Sequence, residues 1–406
     1  MTSTEKTTYY AVLGLFIALL LPYTKHLLTA WGLRSAYILG LSFAISYLLT
    51  PVVRSGASAL NVVDIPNSRK VHAHPTPLMG GLAIYIAFAF AVFANFIFIP
   101  QVKGILIGST IVVVIGVIDD AVGVGARTKL AAQLAATAIV MASGVTLVLI
   151  PQAWIGSTLL NGAITILWIV GITNAMNFFD GMDGLAPGLA AVISFFLGIL
   201  AFQTHQPYLG WLAIAIFGAS VGFLPYNFRH SGPATIFLGD SGSTFLGFAL
   251  ACFAVLGEWA HQNPIVSISA PLLIFSVLIF DMFHTTVARF YTGKVSTIRE
   301  WLEYTGKDHL HHRLAEVLDN PRQSVLFILL LALCLGLTST VLRNAQTMDA
   351  VLLIVQAVVI LLLVTILENV TRWRRENDKE RQSPVSTEGE HTVSSVAPDE
   401  AEDDSS

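Results

Sequence analysis

Apolar runs separated by short polar segments repeat along most of the chain. Many runs approach 20 residues, the length that a helix needs to cross a bilayer, whereas the strands of a membrane barrel would show short alternating segments. The pattern predicts an all-α fold, a polytopic transmembrane helical bundle with about 11–12 membrane-spanning helices. The expected spans are residues 8–22, 35–54, 79–99, 104–118, 130–150, 159–173, 186–204, 208–224, 244–258, 265–287, 325–341 and 349–370.

Composition supports this class and excludes some partners. Charged residues make up 12% of the chain, about half of the roughly 25% that soluble proteins carry. The net charge of −4 and the lack of a basic stripe argue against a nucleic-acid partner. The last residues are rich in Glu, Asp, Ser and Pro, a composition typical of disorder. We expect an integral membrane domain over 1–371 and a disordered, acidic cytoplasmic tail over 372–406.

The distribution of lysine and arginine predicts the orientation. With the N-terminus in the cytoplasm, 18 of the 22 basic residues fall inside, and the other four are Lys25, Arg34, Lys103 and Arg343. We therefore expect a multi-pass protein of the inner (plasma) membrane. This orientation also makes all of the polar motifs cytoplasmic. Because the charge count did not require that result, it supports the orientation independently. The motif segments are residues 64–78, 119–129, 174–185, 225–243 and 288–324.

An acidic pair, Asp119 and Asp120, follows an apolar run at its cytoplasmic end. A helix C-terminus carries partial negative charge, so each acid is unfavourable there by about 0.3–1 kcal/mol. Two solvated boundary residues are the alternative interpretation. Carboxylates at a bilayer edge are costly unless they are used, and a shared divalent cation is the usual reason for them. The pair therefore favours a role in binding a cation or phosphate.

A second acidic motif precedes the ninth span, where Gly239 and Gly242 flank Asp240. A helix N-terminus suits an anion or a bridging metal. Helix capping by Asp240 or Ser241 explains the motif equally well. The nearby Phe237 can stack on a base, or it can anchor the chain at the membrane interface.

The most distinctive motif is Asn174–Leu185, in which polar residues recur every three positions and form one ridge on a helix. Asp183 alone could cap the next helix. Capping does not explain Asn174, Asn177 and Asp180 as well. We therefore expect all four to contact a ligand at the cytoplasmic end of the sixth span.

A histidine cluster lies in the longest cytoplasmic segment. His309, His311, His312 and Arg313 fall within five residues, which suits phosphate binding or metal ligation better than a solvated basic loop. Lys70, in the first cytoplasmic segment, can meet a lipid phosphate, although a positive-inside anchor explains it almost as well. Together these clusters indicate a membrane enzyme that acts on phosphates.

In order, the motifs DIPNSRKVHAHPTPLMGG, the Asp-Asp pair, NAMNFFDGMDGL, FLGDSGS and the histidine segment resemble the polyprenyl-phosphate N-acetylhexosamine-1-phosphate transferase family. The resemblance covers about residues 36–341. It implies transfer of a sugar 1-phosphate from a UDP-sugar to polyprenyl phosphate, which gives UMP and initiates a cell-envelope glycan. It implies Mg²⁺ as the cofactor, with Mn²⁺ as the alternative ion. The HLHH pattern resembles the branch that uses simple UDP-N-acetylhexosamines.

The resemblance also implies roles for individual residues. Asp240 matches the magnesium-binding acid, with Asn177 expected beside the metal, and Asp119 and Asp120 match the catalytic pair at the lipid phosphate. The other substrate-binding candidates are Asn174, Asn177, Asp180, Asp183, Phe237, His309, His311, His312, Arg313 and Lys70.

Three other functions stay open at this point. A phospho-MurNAc-pentapeptide transferase would show three consecutive histidines in place of HLHH. A membrane transporter would place its ionisable residues near the midplane, whereas these acids lie at one edge. A CDP-alcohol phosphatidyltransferase would need Ala-Arg shortly after Asp-Gly, where this chain reads GMDGLAP. The identity of the sugar and a homodimeric state are likewise open.

Overall fold

A computed structural model describes residues 3–66, 74–259, 264–297, 300, 304, 306, 308–342 and 346–382. It confirms the all-α fold, since the described part of the chain contains one two-stranded sheet beside its helices. The elements are α1 Ser3–Leu20, α2 Pro22–Ala30, α3 Arg34–Ala59, β1 Val63–Asp64, β2 Thr76–Pro77, α4 Gly80–Ala94, α5 Pro100–Val122, α6 Ala126–Ala142, α7 Ser157–Phe178, α8 Leu185–Gln203, α9 Pro207–Asn227, α10 Asp240–Leu256, α11 Pro264–Ile274, α12 Ser276–Tyr291, α13 Leu310–Leu318, α14 Pro321–Ser339 and α15 Thr347–Gln382.

Seven of the described helices are long and apolar enough to cross a membrane, namely α3, α5, α7, α8, α9, α14 and α15. The number rises to nine if each of two bent pairs, α1–α2 and α11–α12, forms one span. The sequence predicted about 11–12 spans. The difference lies in α4, α6 and α10, which occupy predicted spans but have 15, 17 and 17 residues.

Both bends coincide with proline. Pro22 begins α2 directly after α1 ends, and the two helices meet at 76°. The predicted span over 265–287 is likewise broken by 76°, and Pro271 lies in the last turn before the break. Proline has no N–H to donate to the preceding turn, so it weakens a helix at that point. The second break gives α12 a direction of its own, and α12 supplies side chains to the histidine segment.

The helix α10 forms the centre of the bundle, because every residue from Ser241 to Val255 is buried. It packs against α4, α5, α7, α8 and α9. Close approach depends on glycine: a Cβ at Gly81 would lie 2.0 Å from the Cα of Gly242, and one at Gly116 would lie 2.5 Å from the Cα of Ser241. The buried helix thus fixes the position of Asp240 at its N-terminus.

Two segments that are distant in sequence meet beside this N-terminus. The strands β1 and β2 pair antiparallel, with Asp64 opposite Thr76. The N–H of Phe237 then donates to the carbonyl of Pro77 at 2.8 Å, and the N–H of Gly80 donates to the carbonyl of Phe237 at 3.0 Å. The first motif segment is therefore bonded to the segment that contains Asp240.

At the other end of the chain, α15 continues to Gln382. Residues 372–382 are therefore helical, beyond the expected start of the disordered tail at 372. Residues 383–406 lie outside the described part of the chain.

Candidate functional site

All five motif segments line a common cavity of about 1070 Å³. The first segment contributes Asp64 of β1, and the last contributes the start of α14. Convergence of segments as distant in sequence as those of Asp64 and Arg322 was expected from their shared side of the membrane. The predicted site residues that line the cavity are Asp119, Asp120, Asp180, Asp183, Phe237, Asp240 and His312.

Asp120 caps the N-terminus of α10. One carboxylate oxygen accepts the backbone N–H of Asp240 at 2.8 Å, and the other accepts the hydroxyl of Ser241 at 2.8 Å and its N–H at 3.3 Å. By sequence alone, Asp120 is unfavourably placed at the C-terminus of α5. The positive end of α10 compensates for that position, because a helix N-terminus stabilises a carboxylate. Gly239, at φ 75°, leaves room for the contact.

Asp119 and Asp240 share the ammonium group of Lys129. The Nζ atom of Lys129 lies 2.5 Å from Oδ2 of Asp119 and also contacts Oδ2 of Asp240. Asn177 approaches Asp240 from the other side, donating to Oδ1 at 3.1 Å and to the Ser243 hydroxyl at 2.9 Å. Sequence reasoning missed Lys129, although it falls nine residues after Asp120, where the next apolar run begins. The result is a carboxylate pair that is held together by a cation.

The donor set of this pair fits Mg²⁺. Within the described residues, no group of three or more His, Cys, Asp or Glu side chains is arranged as a metal site. Magnesium does not need such a group, since it commonly takes one or two carboxylates and completes its shell with waters and substrate phosphates. The carboxylates of Asp119 and Asp240 supply hard oxygen ligands, whereas Asn177 turns its amide nitrogen toward Asp240. The ammonium of Lys129 shows that a cation is stabilised between the two carboxylates.

The segment between α7 and α8 forms another wall. Burial, followed by the charges of Asp240, Asp120 and Asp183, raises the pKa of Asp180 well above its usual value. Asp183 accepts the N–H of Ala234 at 2.9 Å. The N-cap position of α8, which the sequence offered to Asp183, is occupied by Gly184. Through its hydrogen bond with Ala234, Asp183 joins the α7–α8 segment to the loop that follows α9.

A cationic and aromatic region of the wall was not predicted. The Arg322 guanidinium lies 4.9 Å from the ring centroid of Phe228, and its Nη1 donates to the carbonyl of His230 at 2.6 Å. Arg229 also lines the cavity, within 3.5 Å of Glu5 at the start of α1. Arg322 is separated from the histidine cluster by nine residues, and the sequence offered no periodic signal for it.

Of the three predicted histidines, His312 lines the cavity and the other two lie behind it. His309 Nδ1 lies 2.7 Å from Asp281 Oδ2, and its ring stacks on Phe178 at 5.0 Å. Burial, and then the charges of His312, His309 and Arg313, hold the pKa of His311 well below its usual value. His311 is therefore neutral, so it adds no positive charge for a phosphate.

His311 packs against the cavity wall from behind. A Cβ at Gly181 would lie 2.6 Å from its Nε2 atom, which explains a glycine at that position. Neither ring nitrogen of His311 has a hydrogen-bond partner among the described residues.

The remaining candidates do not line the cavity in the described part of the chain. Asn174 exchanges side-chain hydrogen bonds with Gln133, at 2.8 and 3.4 Å, and so joins α7 to α6. Arg313 forms a buried ion pair with Glu368. Lys70 lies outside the described residues, so its predicted contact with a lipid phosphate stays a prediction.

Comparison with known proteins gives consistent relatives. Residues 102–258 match the model of glycosyl transferase family 4. A Bacillus subtilis protein named "probable undecaprenyl-phosphate N-acetylglucosaminyl 1-phosphate transferase" is 33% identical over 73% of this chain and 82% of its own length. The Mycobacterium tuberculosis decaprenyl-phosphate N-acetylglucosaminephosphotransferase is 33% identical over 79% of this chain and 86% of its own. The Escherichia coli K12 undecaprenyl-phosphate alpha-N-acetylglucosaminyl 1-phosphate transferase is 26% identical over 72% and 80%.

Proposed function

This chain belongs to the polyprenyl-phosphate N-acetylglucosamine-1-phosphate transferase family, and we propose that it transfers N-acetylglucosamine 1-phosphate from UDP-N-acetylglucosamine to a polyprenyl phosphate. The products are polyprenyl-diphospho-N-acetylglucosamine and UMP. A phosphate oxygen of the lipid attacks the β-phosphorus of the donor. The bond from that phosphorus to the bridging oxygen breaks, and UMP leaves with the oxygen.

The observation that carries this proposal is the ammonium group of Lys129, which is held between the carboxylates of Asp119 and Asp240. Both carboxylates line the cavity. The lipid phosphate needs little activation, because the second pKa of a phosphate monoester is about 6. The difficulty is to bring two anions together. Fixed positive charge in a partly enclosed cavity reduces this repulsion and stabilises charge that develops in the transition state. Arg229 and Arg322 line the cavity and supply such charge. Lys129 balances one of the two negative charges of Asp119 and Asp240.

We propose that Asp240 and Asp119 hold Mg²⁺ when the donor binds, with Asn177 beside them. The ion would neutralise the diphosphate and polarise its phosphorus–oxygen bonds. Asp120 orients Asp240 by capping α10, so its contribution is positional. We further propose that the cavity opens to the cytoplasm, on the side predicted by the distribution of basic residues.

The donor identity follows from the printed names of the relatives, all of which specify N-acetylglucosamine. None of these names favours the pentapeptide transferase or the transporter over an N-acetylglucosamine-1-phosphate transferase. Phe228 and Arg322 offer an aromatic face and a cation to the uracil and its ribose phosphate, in addition to the predicted Phe237.

The test is to incubate purified protein in detergent with polyprenyl phosphate, Mg²⁺ and one UDP-sugar at a time, and to measure UMP. The expected result is UMP release with UDP-N-acetylglucosamine that requires both the lipid and the metal. Matched reactions contain UDP-glucose, UDP-N-acetylgalactosamine or excess EDTA. Equal release with UDP-glucose, or release without lipid, would contradict the proposal.

A further inference from the structure

The last membrane helix is joined to the histidine segment by a buried ion pair. The Nε of Arg313, on α13, donates to Oε1 of Glu368, on α15, at 2.5 Å. Their side chains are 8% and 0% exposed. An ionised side chain inside a membrane helix is costly and is retained where another group requires it. The presence of an acid at position 368 therefore needs a reason, and its buried ion pair with Arg313 indicates where to look for it.

Arg313 connects further elements through its second nitrogen. Its Nη1 donates to the carbonyl of Asp308 at 2.8 Å and lies 3.1 Å from Nδ1 of His284 on α12. The guanidinium thus bonds to the residue that precedes the three histidines and to two other helices, α12 and α15. Removing either member of a buried pair leaves the other charge without compensation. The position of α13 consequently depends on Glu368.

A second ion pair joins the same two helices at the surface. Glu316 Oε2 lies 3.6 Å from Arg372 Nε, and these side chains are 57% and 40% exposed. Glu316 follows Arg313 by three residues and Arg372 follows Glu368 by four, so both pairs lie on the facing sides of the helices. Because exposed ion pairs contribute little, the outer pair is a matched control for the buried pair.

The buried pair lies next to a residue of the cavity. Arg313 directly follows His312, which lines the cavity, whereas Arg313 itself does not. We propose that Glu368 is a positioning residue for the transfer reaction: it holds Arg313, and through it α13, so that His312 faces the substrates. This inference rests on the proposed function and extends the site to α15, which lies outside the residues 102–258 that match the family.

The experiment measures kcat and KM for UDP-N-acetylglucosamine by UMP release. It compares wild type with Glu368→Gln, Glu368→Asp, Arg313→Gln and the double variant Arg313→Gln/Glu368→Gln. Glu316→Gln and Arg372→Gln are the controls. Each protein is first shown to be monodisperse in detergent and folded at the assay temperature. Wild-type turnover must be seen first, and its absence would count against the proposed function.

Misplacement of a group beside the substrates lowers kcat more than it changes KM. We expect Glu368→Gln to lower kcat by about tenfold or more with KM changed by less than about threefold. Glu368→Asp should recover part of the loss because it restores the charge. The double variant should lose no more than the worse single variant, since the two residues act as a unit. The controls should keep wild-type kcat.

Two results would overturn the inference while wild type remains active. One is a kcat for Glu368→Gln within about twofold of wild type. The other is a multiplicative loss in the double variant, which would assign Arg313 and Glu368 independent roles. If Glu368→Gln does not fold, the double variant Arg313→Gln/Glu368→Gln, which leaves no unpaired buried charge, is compared with Arg372→Gln, and equal kcat values would reject the inference.

Discussion

Replacing Lys129 by methionine removes the ammonium group that Asp119 and Asp240 share. Since both carboxylates contact one nitrogen, their oxygens are at most about 5 Å apart, and two unit charges at that distance repel by about 3 kcal/mol or more at an effective dielectric of 20. The three side chains are 12–30% exposed, so solvent screening reduces the net destabilisation to about 1–2 kcal/mol. This energy lowers the unfolding midpoint by a few degrees.

A divalent cation can replace the lost ammonium group, so added Mg²⁺ should raise the unfolding midpoint of Lys129→Met more than that of wild type. Turnover should fall by about 100-fold, because the cavity loses fixed positive charge. The assays are thermal unfolding in detergent with 0 to 20 mM Mg²⁺, and UMP release. Arg127→Gln is the control, since it removes an exposed positive charge from the same helix. If Lys129→Met and Arg127→Gln respond equally to Mg²⁺, the carboxylate pair does not depend on Lys129.

Three further predictions use single substitutions. Asp240→Asn keeps the side-chain shape but loses the anionic oxygen, so turnover should fall by about 100-fold or more with little change in unfolding midpoint; UMP release near the wild-type rate would remove Asp240 from the mechanism. Because the pKa of Asp180 is raised on folding, wild type loses stability as pH rises above the unfolded carboxyl value of about 3.9. The stability of Asp180→Asn relative to wild type should therefore be greater at pH 8 than at pH 4.5, and a constant difference in unfolding midpoint would contradict this. Gly81→Ala would clash with Gly242 and should lower the free energy of unfolding by about 1–3 kcal/mol. Its control is Gly56→Ala, whose added methyl meets no atom within 4 Å, so this variant should be neutral or slightly stabilising in the same melts.

Hydropathy predicted most of the long apolar helices, because each depends on its own local sequence. The distribution of lysine and arginine predicted that the motif segments share one side, and the structure brings them to one cavity. Hydropathy did not predict α13, which is short and lies in a polar segment. It also treated residues 265–287 as one span. The break inside that span follows from Pro271 and from the packing of α12 on the histidine segment, and hydropathy alone does not contain that information.

Individual site residues were harder to predict than their segments. Asp120 seemed unfavourable at the end of α5 because the α10 N-terminus that compensates it is 120 residues away. Lys129 and Phe228 carry no motif of their own, so the contact of Lys129 with Asp119 and Asp240 and the place of Phe228 on the cavity wall are visible only in three dimensions. The sequence predicted one common role for the histidines, in binding a substrate or a metal. In the structure, His312 lines the cavity, whereas His311 is buried and neutral.

The central claim is that the protein transfers a sugar together with its phosphate. The most direct measurement uses UDP-N-acetylglucosamine with radioactive phosphorus at the β position, polyprenyl phosphate and Mg²⁺, followed by separation of the lipid and aqueous phases. The account predicts that the label enters the lipid phase in an amount equal to the UMP formed, and that Asp240→Asn lowers both by about 100-fold or more. Label that stays in the aqueous phase as UDP or free phosphate, while the sugar enters the lipid, would contradict the account.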